Sequence, residues 1–204
     1  MEQPVTGGDG IRLRFTAFTM TLLLLLTFAA CCLPQASIAG QQQGKAPALP
    51  PEIEQRVSAV CSKTDTYDCY TNHKYGFVIA WPKQQLKAMG ESDAGDGQTF
   101  DAPGQRANLT VWAGLNAPGT KLQKLFKDAV AESGSQVTYK FLGNDSFVIS
   151  GIEDGKIFYR KTLFTKDLFS TFILTYDPAL KDVFNPMVKD IGQSFAMHPA
   201  FSYR

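Results

Sequence analysis

An α+β fold, with helices packed on an antiparallel sheet of about six to seven strands, is the class this sequence predicts. Three observations carry it. Four runs rich in β-branched and aromatic residues, QVTYKFL, SFVIS, KIFYRKTLF and LFSTFILTY, follow one another between Gln136 and Tyr176. The turns between them, GND (143–145), EDG (153–155) and TKD (165–167), are short, and short turns demand antiparallel neighbours. Two stretches, one before these runs and one after, instead repeat their apolar residues at helical spacing.

The chain opens with Arg12 and Arg14, then FTAFTMTLLLLLTFAACCL without a charge. A basic start, an apolar run and a small-residue region form an export signal. Pro34 ends the apolar run, and ASIA places Ser37 and Ala39 before a cut between Ala39 and Gly40. FAAC (28–31) also resembles a bacterial lipobox, which would make Cys31 a lipid-bearing residue. Left uncleaved, the run is long enough to span a bilayer. All three readings put the rest of the chain outside the cytoplasm, periplasmic or extracellular, as a soluble or a membrane-anchored protein. The expected organisation is a signal peptide (1–39), a linker with a short helix and a disulfide segment (40–69), an α+β domain (70–196) and a tail (197–204).

GQQQGKAPALPP (40–51) has almost no apolar bulk and reads as a linker. PEIEQRVSAV suits a short helix: Pro51 fits the first helical position, and Ile53, Val57 and Val60 share a face. Past the first forty residues the only cysteines are Cys61 and Cys69. In an oxidising compartment such a pair is expected to form a disulfide. A metal pair fits poorly, because the spacing is not C-x2-C and structural zinc wants four N/S ligands.

YGFVIAW (75–81) reads as a strand stopped by Pro82, with Phe77 and Ile79 on one side and Val78 and Ala80 on the other, so both faces can be buried. QTFDA and NLTVWAG (108–114) are two more strands. In TKLQKLFKDAVAESG, residues Leu122, Leu125, Phe126, Ala129 and Val130 line one helical face, with Thr120 and Gln123 as an expected capping box. After the four-strand meander, with Asp154-Gly155 as its strongest hairpin signal, the stripe Leu180, Val183, Phe184, Met187, Val188, Ile191, Phe195 makes a closing helix. Asn185-Pro186 restarts or kinks it. The expected order is β-β-β-α-β-β-β-β-α.

Net charge is +1 and no basic cluster occurs, so nothing recommends nucleic acid or an anionic membrane surface as partner. The most site-like stretch is GESDAGDGQTFDAPG (90–104), which packs four acidic residues and four glycines into fifteen positions. An EF-hand-type calcium loop needs oxygen ligands at positions 1, 3 and 5, Gly at 6 and Glu at 12. Registers starting at Glu91 or Asp93 both fail. Asp and Gly are also what tight turns require, so the stretch is expected to join strands across two turns. There is no G-x-S-x-G and no Gly-rich phosphate loop. His73, in a polar run, and His198, in the tail, read as surface histidines. Glu153 and Asp154 read as hairpin-turn residues. Asn108 and Asn144 head glycosylation-type triplets and are treated as chance. No catalytic residue, cofactor or metal ligand is expected.

YTNHKYGFVIAWP, a polar Gly/Asp-rich turn, NLTVWAG, a helix, a meander and a closing helix together resemble small exported bacterial proteins of unassigned function that open Y-T-N-x-x-Y-G-F-x-I-x-Y/W-P. Over residues 70–196 the element order is similar to the PsbP-like fold, a sheet between helices. PsbP-like domains act mainly as binding and assembly modules, so the resemblance implies an exported, non-catalytic module of the cell envelope whose partner is a protein or envelope component. Two alternatives stand beside it: a secreted hydrolase with an unrecognised site, and a structural or stress-related envelope lipoprotein. The glycine-rich segment 83–107, read as long surface loops, is the expected place for binding.

Overall fold

The computed structural model describes residues 49–133 and 136–198. The expected signal peptide (1–39), the expected cut between Ala39 and Gly40, the candidate lipobox Cys31, most of the expected linker and the chain beyond His198 lie outside the described residues. Among the described residues three α-helices are present: α1 (Pro51–Cys61), α2 (Leu122–Glu132) and α3 (Lys181–Ser194). Ten strands accompany them: β1 (Tyr67–Asn72), β2 (Phe77–Pro82), β3 (Lys87–Glu91), β4 (Gly97–Asp101), β5 (Ala107–Leu115), β6 (Val137–Leu142), β7 (Ser146–Glu153), β8 (Lys156–Phe164), β9 (Leu168–Tyr176) and β10 (Ala196–Met197). The class is α+β, as expected.

The strands form two antiparallel sheets rather than one. Seven run in the order β3-β4-β5-β9-β8-β7-β6, and three in the order β1-β2-β10. The second sheet exists because β2 is apolar on both sides. Phe77 and Ile79 join the main core against the large sheet, while Val78 packs with Val57 of α1 and Ala196 of β10. Where β10 has ended, Ser194 Oγ takes the next open donor of β2, the N–H of Ala80, at 2.9 Å.

Pairing across the large sheet sets its two faces, since directly opposed residues point the same way. One row runs Tyr139, Ser150, Tyr159, Leu174, Leu109, Phe100. This face carries the main core and is covered by the small sheet and α3. The opposite face carries Phe147, Ile149 and Phe158, covered by Leu122, Phe126 and Ala129 of α2.

Local chemistry explains most boundaries. Pro51 sits in the first turn of α1. β7 and β8 are joined through Asp154 (φ 50°) and Gly155 (φ 76°), the two positive-φ residues of a type I′ hairpin. The expected capping box does not form. Lys121 occupies the N-cap of α2 without a side-chain bond, and the N–H of Thr120 donates to the Ala117 carbonyl instead. Pro186 stays within α3 and does not end it.

Candidate functional site

The Y-T-N-x-x-Y-G-F stretch is a structural knot. Asn72, only 1% exposed, accepts the Tyr75 N–H on Oδ1 at 2.9 Å and so closes the β1–β2 turn. Its Nδ2 donates to the Tyr70 hydroxyl at 2.9 Å and to the Gly95 carbonyl at 3.1 Å. The Tyr70 hydroxyl donates in turn to Glu91 Oε1 at 2.7 Å. Burial, with the Glu91 carboxylate beside it, holds the Tyr70 phenol well above its ordinary pKa despite the Asn72 bond. Lys74 Nζ donates to the Ala94 carbonyl at 2.6 Å.

These bonds show what GESDAGDGQTFDAPG does. It makes the end of β3, a turn over Ser92–Asp96, β4, and a second turn through the 3-10 segment Pro103–Gln105. The carbonyls at Ala94 and Gly95, which a calcium loop would aim at its ion, are held by an ammonium and an amide. Ser92 Oγ bonds Asp96 Oδ1, and the Asp96 N–H returns to Ser92 Oγ. Among the described residues no three His, Cys, Asp or Glu side chains gather as a metal site.

Segment 83–107 is therefore not a set of loops. It supplies β3 and β4, and Phe100 within it is completely buried, stacked on Trp81 with ring centroids 4.8 Å apart. The periodicity of this stretch is hidden because β3 is an edge strand exposed along its whole length.

His198 is not a surface residue. β10 runs back along β2, the His198 N–H donates to the Gly76 carbonyl at 3.0 Å, and the residue is 7% exposed. The fold thereby brings both histidines of the chain to one cavity of about 80 Å³, lined by Leu49, Thr71, Asn72, His73, Phe77 and His198 among others. That is far below the roughly 300 Å³ at which pockets for drug-sized ligands begin, and among the described residues no carboxylate lines it. Asp154 sits in the hairpin turn, as expected, while Glu153 ends β7 and pairs with Lys156. Cys61 and Cys69 are joined as a disulfide, Cα atoms 5.9 Å apart, tying the end of α1 to β1.

The feature that sequence reasoning missed is at the other end of the large sheet. β6 is its outermost strand, and every residue from Thr138 to Leu142 is exposed. A register irregularity between Val137 and Tyr139 turns Val137 toward α2, while Tyr139 and Phe141 point to the α3 side. There α3 stops short of them: Tyr139 is 53% exposed, Phe141 49%, and Ile152 on β7 44%. Between this surface and α3 runs a groove of about 380 Å³ lined by Ser150, Ile152, Ile157, Tyr159, Lys181 and Val188 among others, with Lys181 the only charged residue among the described ones that line it. QVTYKFL reads as an ordinary amphipathic strand; nothing in it marks a strand left without an outer neighbour.

On the same face, Lys161 Nζ donates to the Gly192 carbonyl at 2.6 Å. Burial pulls its pKa down to about 8, Arg56 acts in the same direction, and Asp145 acts against it.

No protein-family profile matches the chain, and no curated protein matches it. The chain is similar to the solution structure of cyanobacterial PsbP (CyanoP) from Synechocystis sp. PCC 6803, at 12% identity and a TM-score of 0.48, over 65% of this chain and 92% of that one. The likeness is one of architecture.

Proposed function

We propose that this protein is an exported, non-catalytic binding module of the cell envelope, and that it holds a partner protein on the outer β6–β7 hairpin. One observation carries the reading: Tyr139, Phe141 and Ile152 form an apolar surface beside a groove, and exposed contiguous apolar surface marks interaction sites. The conspicuous polar residues, by contrast, are engaged in holding the fold. Asn72, Tyr70, Glu91 and Lys74 bond one another or the backbone. The Cys61–Cys69 disulfide supports an oxidising compartment, and no described helix is long and apolar enough to cross a membrane.

A photo-reactive phenylalanine analogue at position 141, with a control at the exposed Glu52 of α1, tests the surface in cells of the source organism. A discrete adduct from position 141 and none from position 52 supports the proposal. The same adducts from both positions, or none from 141, refutes it. Turnover of a peptide, ester or glycan by the purified protein, abolished by His73→Ala, would favour the hydrolase alternative. Sequencing the mature N-terminus tests export: Gly40 supports the cut, a diacylated Cys31 makes the protein a lipoprotein, and an intact Met1 makes the apolar run an anchor.

A further inference from the structure

We propose that the outer edge of β6 takes up an extended segment of the partner, alternating apolar and acidic residues, as an eighth strand of the seven-stranded sheet. This rests on the binding reading above and specifies the chemistry of the partner.

The backbone supplies the first half of the argument. The Gly143 N–H donates to the Ser146 carbonyl at 2.8 Å, which fixes the phase of the β6–β7 ladder. Phe141 opposite Val148 and Tyr139 opposite Ser150 share that phase, two and four residues along. Their N–H and C=O groups therefore turn inward to β7. Those of Lys140 and Leu142 turn outward, where the sheet has no further strand among the described residues. Unpaired groups of this kind are the template on which an added strand forms.

The side chains supply the second half. Tyr139 and Phe141 stand on the groove side of β6, and Lys140 stands on the other. An added strand would set alternate residues beside the two rings and the intervening residues beside Lys140. Apolar side chains suit the first set and carboxylates the second. The groove repeats the bias, because among the described residues that line it Lys181 is the single charged one. A second copy of this chain is a poorer occupant. Antiparallel self-pairing about Tyr139 or Lys140 sets the two Lys140 ammoniums on one face within a strand or two of each other, and like charges so placed destabilise. The opposite edge is unlike β6: β3 carries Lys87 and Glu91 and offers one large apolar residue, Met89.

The test uses the full chain and two capped peptides, one of alternating valine and glutamate and one of alternating valine and lysine. Amide hydrogen exchange is read residue by residue by NMR. The expected result is fast exchange at Lys140 and Leu142 in the protein alone, slowed about tenfold by saturating glutamate peptide. The lysine peptide and the β3 amides should show no such slowing. Lys140→Glu should exchange the two peptides' effects without moving Tm. Amides of Lys140 and Leu142 already protected in the protein alone would mean that its own chain or a second copy covers the edge, and would overturn the proposal. No slowing by the glutamate peptide, or equal slowing by both, would also overturn it. A cross-link from position 141 with unchanged β6 amides would refute strand addition while leaving the binding surface standing.

Discussion

Lys161 on β8 closes the last turn of α3, its ammonium donating to the Gly192 carbonyl at 2.6 Å. The neighbouring carbonyl, Ile191, is already taken by the Phe195 N–H and Ser194 Oγ. The lysine thus satisfies a helix-end acceptor from a strand of the sheet below.

Its burial has a pH consequence. In the folded protein Lys161 loses its proton near pH 8, against 10.5 unfolded. Below about pH 8 the fold carries the full cost of a buried charge. From there toward 10.5 the unfolded chain binds more protons, so stability rises with pH. Tyr67, Tyr70, Tyr159 and Tyr176 act oppositely, their phenols held above 10 chiefly by burial. They subtract stability once the pH passes 10. Urea midpoints should therefore climb between about pH 8 and 10 and fall beyond. Lys161→Met should flatten the climb, and an unchanged slope in that variant would assign the effect elsewhere.

Asn72→Ala removes three hydrogen bonds at a fully enclosed position. It leaves the Tyr75 N–H and Gly95 carbonyl without their partner, a loss of about 2–3 kcal/mol by urea denaturation. Amides of the Ser92–Asp96 turn should exchange faster in the same variant, because the turn loses its tether to β1.

Gly97 and Gly114 both oppose aromatic positions, yet should respond differently to alanine. A methyl at Gly97 would lie 2.0 Å from the Val111 carbonyl oxygen and 2.7 Å from Trp112 Cα, atoms of the paired backbone. At Gly114 it would meet the Phe169 ring at 2.8 Å, and a ring can swing aside. Gly97→Ala should cost about 3 kcal/mol and Gly114→Ala about 1 kcal/mol. Equal losses would mean that the Phe169 ring is as fixed as the β5 backbone.

Replacing both cysteines with alanine opens a loop whose ends are eight residues apart. Chain entropy puts the loss at about 2.5 kcal/mol. Because β1 has β2 as its only strand neighbour among the described residues, exchange in the variant should rise in β1 before it rises in β9.

The long strands and the helices were legible because their apolar residues are periodic. β5 through β9 and α2 all announce themselves, and Asp154-Gly155 names its own turn. β1, β3 and β10 were not legible. β3 buries nothing, so no face pattern arises; β1 is polar and is held by Asn72 and the disulfide; β10 is two residues long and owes its existence to β2. The site failed for a different reason. Tyr139 and Phe141 are the residue types a core strand carries, and their exposure follows from which strand has no neighbour, a property of topology that no local window contains. His198 was misplaced in the same way, by a strand pairing 120 positions distant in the chain.

β2 takes its cover from late in the chain: α3 and β10, residues 181–197, lie over it and beside it. A ribosome delivers those residues after everything else in the two sheets. Until then the β1–β2 hairpin has α1 and the large sheet for cover but lacks α3 and β10. Folding of this chain therefore closes back on its early strands, and a nascent polypeptide stalled short of Lys181 would leave Phe77 without Phe195, its ring partner at 6.4 Å, as a partial target for a holdase that binds hydrophobic strand.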